Sequence, residues 1–205
     1  MSENEQTTIE KIHSTAKAEF LQKGFRSASL RNIVKEAGVT TGAFYGYYKS
    51  KEELFDALVS EQYQTFMGMF QRAQNEFAAL SPEKQVSSMK THSDDYMLRM
   101  LNYIYDHMDV FRLLLCSSEG TRYENMVHEM VEIEVNATHA FASVMEGMGR
   151  EAYHIDPMLE HLLVSGMFSG FFELVIHDIP YGKAVTYLHE LHDFYTAGWQ
   201  KIMGF

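Results

Sequence analysis

Hydrophobic residues recur along this chain at spacings of three and four, the period of amphipathic helices, and no stretch alternates apolar and polar residues as a half-buried strand does. The pattern predicts an all-α chain. All three prolines stand at predicted helix boundaries, at positions 82, 157 and 180. The predicted helices, about nine in number, cover roughly residues 7–23, 29–37, 40–47, 50–77, 82–107, 110–118, 123–148, 157–177 and 183–203.

The second and third predicted helices are short and follow each other closely. Gly38 between them can adopt the left-handed backbone that a sharp turn needs. On the third helix Phe44 and Tyr48 are four residues apart and are expected to face inward. Ser50 and Glu53 form a capping-box pattern at the start of the fourth helix. This arrangement is typical of a helix-turn-helix, which presents its second helix to the major groove of DNA.

The residues left on the outer side of this motif suit DNA. Tyr45, Tyr47 and Tyr48 cannot all be buried on one helix, so at least one tyrosine is exposed beside the lysines that follow. Tyrosines more often fill protein cores, and short amphipathic helices are common, but this combination favours a binding surface. The predicted DNA contacts are Arg31, Thr40, Thr41, Gly42, Tyr45, Tyr47, Lys49 and Lys51, with Thr40 also suited to cap its helix.

The charge distribution supports the same interpretation, although the whole chain has a net charge of -11. Residues 1–51 contain eight Lys and Arg against five Asp and Glu, a net of +3, and the remainder has a net of -14. Because salt limits charge effects to about 8 Å at physiological ionic strength, a basic head on an acidic body can still dock to phosphates.

No enzyme signature is present among the common motifs, since the chain lacks G-x-S-x-G, P-loop, H-E-x-x-H and paired-cysteine patterns. We therefore predict no enzymatic activity and no cofactor. The single cysteine, Cys116, cannot form an intramolecular disulfide and is consistent with the cytoplasm. The N-terminus lacks a signal-peptide pattern, and the apolar run 162–176 is short for a bilayer and contains Glu173, so we predict no membrane association.

Two other functions stay open. A metal-responsive regulator is suggested by the histidines, because His189, His192 and Asp193 lie on one face of the last helix, with His154 and His161 earlier in the chain. The absence of a second cysteine or a tight cluster weighs against it. A DNA-associated enzyme is the other alternative, although it would need a catalytic cluster that the sequence does not display.

Residues 7–55 resemble the N-terminal domain of TetR-family transcriptional regulators. The resemblance rests on Lys23-Gly24-Phe25 followed by SLRNIVKEAGVTTGAFYGYYKSKEELF, in family order and spacing. It implies a helix-turn-helix domain at residues 1–50 and a helical ligand-binding and dimerisation domain at 51–205. It further implies a homodimeric repressor that binds a pseudo-palindromic double-stranded operator and is released by a small, largely apolar effector. Many members have Lys or Arg where this chain has Thr41, so the operator sequence cannot be transferred.

The resemblance also gives the C-terminal helices their roles. The last two helices are apolar over more than one face and are expected to form a four-helix bundle across a two-fold axis, with packing inside one subunit as the alternative. The predicted dimer residues are Leu159, Leu162, Leu163, Gly166, Gly170, Leu188, Leu191, Phe194, Tyr195 and Trp199. Methionines and aromatic residues of the middle helices could line the effector pocket or simply form the core. The pocket candidates are Phe66, Met67, Phe70, Met97, Met100, Leu101, Tyr103, Ile104, Cys116, Phe141, Met145 and Met167.

Overall fold

The computed structural model describes residues 3–150 and 155–203, and in this part of the chain it contains nine α-helices and no β-strand. The prediction of an all-α fold is confirmed. The helices are α1 (Glu3–Ser27), α2 (Leu30–Glu36), α3 (Thr41–Tyr47), α4 (Lys51–Ala78), α5 (Pro82–Asp106), α6 (Met108–Cys116), α7 (Met126–Gly147), α8 (Pro157–Ile176) and α9 (Tyr181–Met203).

The chain forms two compact units. The first comprises Met1–Gln64 and His107–Glu124, and the second comprises Thr65–Asp106 and Asn125–Phe205. This division does not coincide with the predicted domain boundary at residue 50, because α6 and the first half of α4 join the N-terminal helices. Helix α4 itself continues from the first unit into the second.

The first unit is built around an aromatic cluster. The ring of Phe20 lies 5.8 Å from that of Phe25 and 5.1 Å from that of Phe55, and all three side chains are buried. Gly24 has the positive φ of 71° that the chain needs to turn Phe25 back into the core. The predicted helix end at Gly24 is therefore visible as a kink, after which a last turn continues to Ser27. The backbone N–H of Phe25 donates to the Ser117 carbonyl at 2.9 Å, which joins the end of α1 to the end of α6.

The second unit packs the second half of α4 with α5, α7, α8 and α9. Its core contains Phe70 and Phe168, whose rings meet edge to face with their centroids 5.5 Å apart. Asp156 caps α8 as predicted, since its Oδ1 accepts from the N–H groups of Met158 and Leu159 at 2.9 and 3.2 Å and Pro157 occupies the first turn.

Helix α8 combines a buried face with a row of exposed apolar residues. It is also the one helix in the described ranges whose length and apolar composition would allow it to cross a membrane, and 39% of its most apolar window is buried inside the protein. Glu160 on this helix is almost completely buried and receives a hydrogen bond from His139 on α7 at 2.7 Å. Packing against α7 and α9 accounts for its buried face.

Candidate nucleic-acid interface and ligand cavity

Helix α2 is held in place by capping at its first turn. The Ser29 hydroxyl accepts from the N–H of Asn32 at 3.3 Å, and the N–H of Ser29 donates to the Glu19 carboxylate of α1 at 2.9 Å. Glu19 also receives a hydrogen bond from Lys23 at 2.8 Å. These two donors, Lys23 first, lower the pKa of Glu19, so the carboxylate that anchors α2 to α1 stays charged at neutral pH.

The turn between α2 and α3 has the geometry that the sequence predicts. Gly38 has a φ of +66°, and the N–H of Val39 folds back to the Val34 carbonyl at 3.2 Å. The Thr40 hydroxyl then accepts from the N–H of Ala43 at 3.1 Å and caps α3. Local sequence signals therefore set both the angle and the start of the second helix of the motif.

Two aromatic side chains fix the rotation of α3 about its axis. Phe44 is fully buried. The Tyr48 hydroxyl lies 2.5 Å from Nε2 of His13 on α1, and the two rings lie 5.8 Å apart. Burial lowers the pKa of His13, with the charge of Lys17 as a second cause, so the ring is neutral at physiological pH. The predicted inward orientation of both aromatic residues is confirmed.

The opposite side of α3 is open. Thr41, Gly42 and Tyr45 are exposed, with Tyr45 at 53% of its maximal surface, and Thr41 and Tyr45 share a helical face because they are four residues apart. Tyr47 is partly buried, whereas the side chains of Arg31 and Lys49 are exposed. The outer face of α3 therefore presents Thr41, Gly42 and Tyr45 to solvent.

Lys51 has a different environment from Lys49. Its ammonium donates to the carbonyl oxygens of Phe25, Ala28 and Arg26 at 2.6, 3.1 and 3.2 Å, and it lies 4.5 Å from the centroid of the Phe25 ring. A lysine has three N–H donors, so these carbonyls occupy them all. The geometry favours a role of Lys51 in closing the end of α1 over the predicted contact with phosphate.

The capping box at the start of α4 is present with one change. The Ser50 hydroxyl accepts from the N–H of Glu53 at 3.2 Å, as predicted. The Glu53 carboxylate, however, reaches the N–H of Lys49 at 2.6 Å instead of that of Ser50. The backbone of Lys49 is thereby held beside the C-terminus of α3 while its side chain points to solvent.

The second unit contains a cavity of about 120 Å³ that is partly open to solvent. Residues from α4, α5, α7, α8 and α9 form its walls, and five aromatic rings are among them. Those rings belong to Phe77, Tyr96, Phe141, Tyr195 and Trp199. Of the predicted pocket residues, Met97, Phe141 and Met167 line this cavity.

The other predicted pocket residues lie elsewhere. Met100 lines a neighbouring cavity of about 100 Å³, and Cys116 belongs to the first unit. Among the remainder, Met67 and Tyr103 are partly buried and the others are core residues: Phe66, Phe70, Leu101, Ile104 and Met145. Apolar spacing marks a residue as inward-facing, but it does not distinguish a filled core from a cavity wall.

A glutamate that the sequence reasoning missed lies in the cavity wall. The Glu134 carboxylate accepts a hydrogen bond from Gln74 at 2.7 Å. Burial raises the pKa of Glu134 to about 7, against the opposing effect of the Gln74 hydrogen bond. Burial also raises the pKa of Tyr96, helped by the charge of Glu134. The available signal was positional, because Glu134 interrupts the inward apolar series 130, 137, 141 and 145 of α7.

Another wall of the cavity carries paired charges. The Lys90 ammonium lies 2.8 Å from Asp193 and 3.1 Å from Asp94, and His192 places Nδ1 2.6 Å from Asp94 and Nε2 2.6 Å from the Ser93 hydroxyl. Burial lowers the pKa of His192, and the charge of Asp94 opposes this. Across the described ranges, no three His, Cys, Asp or Glu side chains group to hold a metal ion. His154 lies outside those ranges, and the metal-responsive alternative gains no support from the others.

The predicted dimer residues divide into exposed and internal ones. Phe194, Leu162 and Leu159 are 71%, 58% and 48% exposed. Leu188, in contrast, is buried within the unit, so it is not available to a partner as predicted. A side chain at Gly166 would come within 3.0 Å of the Tyr195 hydroxyl, and one at Gly170 within 3.9 Å of Leu191. These glycines therefore allow α8 and α9 to approach each other inside one subunit.

One groove joins the exposed and the internal dimer candidates. It has a volume of about 400 Å³, and the predicted dimer residues Leu163, Phe194, Tyr195 and Trp199 line it together with Ile202. Tyr195 and Trp199 thus contribute to both the groove and the aromatic cavity.

The first unit defines a helix-turn-helix DNA-binding protein. The model of the bacterial regulatory proteins of the tetR family matches residues 12–58, the segment that contains α2, the Gly38 turn and α3. Residues 12–58 thus form a DNA-binding domain of the tetR type, as the N-terminal motif indicated.

Similar proteins agree with this assignment. The HTH-type transcriptional regulator YttP of Bacillus subtilis is 24% identical over 159 residues, which cover 77% of this chain and 72% of YttP. The transposon Tn10 TetC protein of Escherichia coli is 35% identical over 60 residues, only 29% of this chain and 30% of TetC. The transcriptional regulator FadR of Bacillus subtilis, solved with stearoyl-CoA, has the same fold at 15% identity, with 92% of this chain and 97% of FadR covered and a TM-score of 0.56.

Proposed function

We propose that this DNA-binding transcriptional regulator is a repressor that leaves its operator when a small molecule enters the cavity of the second unit. The proposal that the protein binds DNA rests on the outer face of α3. Phe44 and the Thr40 cap hold the helix from inside, and Thr41 and Tyr45 are left exposed on one face. A rigid recognition helix with exposed polar side chains is what direct readout of base edges requires.

The proposed contacts separate into base and backbone contacts. Thr41, Gly42 and Tyr45 are placed to meet bases, and the small Gly42 allows the backbone to approach the groove. The remaining proposed contacts, to phosphates and sugars, are Arg31, Thr40, Tyr47 and Lys49. A homodimer would present two such helices to half-sites about 34–36 Å apart, or a multiple of that distance, which doubles the contacts and explains specificity from a short helix.

The proposed effector site is the aromatic cavity of the second unit. FadR, which shares the fold, was solved in complex with stearoyl-CoA, so a protein of this architecture can hold a small molecule. Helix α4 offers the link, because it carries Gln74 in the cavity wall and begins at the capping box beside the recognition helix. We propose that ligand binding shifts α4. We further propose that the protein has no enzymatic role and that it acts in the cytoplasm.

A gel-shift titration with the DNA flanking its own gene tests the proposal. We expect a retarded band that unlabelled specific DNA removes and unlabelled unrelated DNA does not, with affinity that falls as salt rises. Binding that is equally strong to unrelated DNA would contradict sequence-specific repression. A DNA fragment that binds in this assay would then be used to measure release of the protein from its operator.

Substitutions on the outer face of α3 provide the sharper test. Tyr45→Ala should lower operator affinity about tenfold, equivalent to about 1.4 kcal/mol, without changing the thermal midpoint, because the side chain is exposed. Tyr187→Ala is the matched control, since Tyr187 is an exposed tyrosine of the second unit. Equal operator binding by wild type and Tyr45→Ala would show that the recognition surface lies elsewhere.

A further inference from the structure

The cavity of the second unit contains one carboxylate without a cationic partner. Three of its lining residues can carry charge, namely Lys90, Glu134 and His192. Lys90 lies within ion-pair distance of Asp94 and Asp193, and His192 lies beside Asp94. Glu134 receives only the neutral amide of Gln74, and no lysine, arginine or histidine of the described chain pairs with it.

Such a carboxyl group is costly to keep in a structure. An ionised carboxylate out of water needs a compensating charge, and the alternative is to bind a proton. The raised pKa of about 7 means that Glu134 is poised between these states near neutral pH. An apolar ligand would leave the group in its unfavourable environment, and an anionic ligand would be repelled by it. A cation would supply the missing partner.

The walls around Glu134 are also suited to a cation. Phe77 and Phe141, with ring centroids 5.7 Å apart, line the cavity together with Tyr96, Tyr195 and Trp199. The face of an aromatic ring attracts a cation, and the attraction is stronger where water is excluded. A carboxylate within a set of aromatic rings is therefore the arrangement that recognises alkylammonium groups.

We propose that this cavity binds a small organic cation, an amine or quaternary ammonium, with its charge against Glu134 and its apolar groups against the aromatic rings. The proposal rests on the proposed effector role of the same cavity and names the class of effector. The volume of about 120 Å³ is similar to the ~150 Å³ cavity that holds benzene in another protein. The bound part is therefore about the size of a benzene ring or a trimethylammonium group, with any longer substituent leaving through the open side.

The natural fluorescence of the protein provides the binding assay. Trp199 is the only tryptophan in the chain, and it lines the cavity. The probe is benzyltrimethylammonium, and its neutral counterpart is neopentylbenzene, which replaces the charged nitrogen by carbon and keeps the shape. We expect wild type to bind the cation about tenfold more tightly than the neutral compound. Equal or tighter binding of the neutral compound would overturn the proposal.

The variant Glu134→Gln keeps the size of the side chain and removes its charge. It should bind the cation about tenfold more weakly than wild type and retain its affinity for neopentylbenzene. Glu146→Gln, at an exposed position of the same helix, is the matched control and should bind both compounds as wild type does. Unchanged cation binding by Glu134→Gln would overturn the proposal, and thermal unfolding verifies that both variants are folded.

The dependence of binding on pH separates charge recognition from simple packing. Cation affinity of wild type should increase as pH rises through about 7, because Glu134 loses its proton there. The other titratable groups that face the cavity are Tyr96 and Lys90 with Asp94 on α5, and Tyr195 and His192 with Asp193 on α9. Their contribution is the pH dependence that remains in Glu134→Gln. An identical pH profile in wild type and Glu134→Gln would contradict the role of Glu134.

Operator release, measured with the same two compounds, distinguishes this proposal from the proposed function. Release by the neutral compound alone would leave the regulatory role of the cavity intact and reject the cation. Cation binding that depends on Glu134 without release would support the cation site and reject its regulatory role. Release by benzyltrimethylammonium in wild type, with about tenfold more compound required in Glu134→Gln, would support both.

Discussion

Two lysines only two positions apart have different surroundings at the start of α4. The side chain of Lys49 is exposed, whereas the ammonium of Lys51 donates to three carbonyl oxygens at the end of α1. Hydrogen bonds to a charged donor contribute about 1.5–3 kcal/mol, and a carbonyl that loses its partner in a partly buried place adds a penalty. We therefore expect Lys49 to contribute to DNA affinity and Lys51 to contribute to the stability of the fold.

We expect Lys51→Ala to lower the free energy of unfolding by about 2 kcal/mol, because the carbonyls of Phe25, Arg26 and Ala28 lose their common donor. Lys49→Ala should leave the unfolding free energy within about 0.5 kcal/mol of wild type and weaken binding to all DNA sequences. Urea unfolding and gel shifts measure the two effects. A stability loss in Lys49→Ala equal to that in Lys51→Ala would refute this assignment.

The sequence could not have distinguished these lysines, because the carbonyls that engage Lys51 lie 23 to 26 residues earlier in the chain. Local patterns carry no information on such contacts. Glu134 presents the same difficulty, since its partner Gln74 is 60 residues away. By contrast, the inward direction of Phe44 and Tyr48 depends only on helical spacing, and it was predicted.

At the level of helices and turns, the link between α2 and α3 depends on one backbone conformation. Gly38 has a positive φ of 66° that disfavours any side chain, although a Cβ there would meet no atom within 4 Å. Gly46, within α3, has the same open space and a helical backbone. The two glycines therefore separate backbone strain from crowding.

Gly38→Ala should lower the free energy of unfolding by about 1 kcal/mol, because alanine is strained in the left-handed region. Gly46→Ala should raise it by roughly 0.5 kcal/mol, because alanine favours the helix. Chemical unfolding of both variants and of wild type measures the sign of each change in unfolding free energy. Changes of the same sign would show that the φ of residue 38 is not what selects glycine.

Helix starts were the most predictable elements of this fold. Thr40, Ser50 and Asp156 all cap the helices that their sequences predict, since a cap involves residues only two or three positions apart. The packing of α6 with the N-terminal helices was not predicted, because it rests on the Phe25 to Ser117 hydrogen bond and on other distant contacts. Most of the predicted pocket residues lie outside the cavity wall for the same reason, as five helices contribute to its walls.

At the scale of the whole molecule, Glu134 makes stability depend on pH. Its pKa is raised from the ordinary 4.5 to about 7 in the folded protein, so folding favours the protonated form. The stabilisation is complete below pH 4.5 and is lost as pH rises through about 7. Glu134→Gln removes this dependence. It should be more stable than wild type above pH 7, by up to about 3 kcal/mol, and similar to wild type in acid.

Unfolding curves of wild type and Glu134→Gln across this pH range give the measurement. The difference between the two proteins isolates Glu134, because groups such as His13 titrate equally in both. Glu146→Gln should follow wild type at every pH. A constant difference between wild type and Glu134→Gln would mean that this carboxyl group is not destabilised by burial.

The prediction of a homodimer rests on the exposed apolar side chains of α8 and α9. Phe194 and Leu162 expose 71% and 58% of their surfaces to water. Exposed apolar side chains of this kind mark interaction sites, and two-fold association would bury them in both copies. Phe194→Glu with Leu162→Glu should therefore convert a dimer into monomers in sedimentation velocity.

Leu21→Glu provides the control, since Leu21 is an exposed apolar residue of the first unit. It should leave the dimer unchanged. The monomeric double variant should stay folded but lose most of its operator affinity. A monomer presents one recognition helix to the DNA, whereas the dimer presents two. A double variant that stays dimeric would exclude this face as the interface, and a monomeric wild type would remove the basis for a pseudo-palindromic operator.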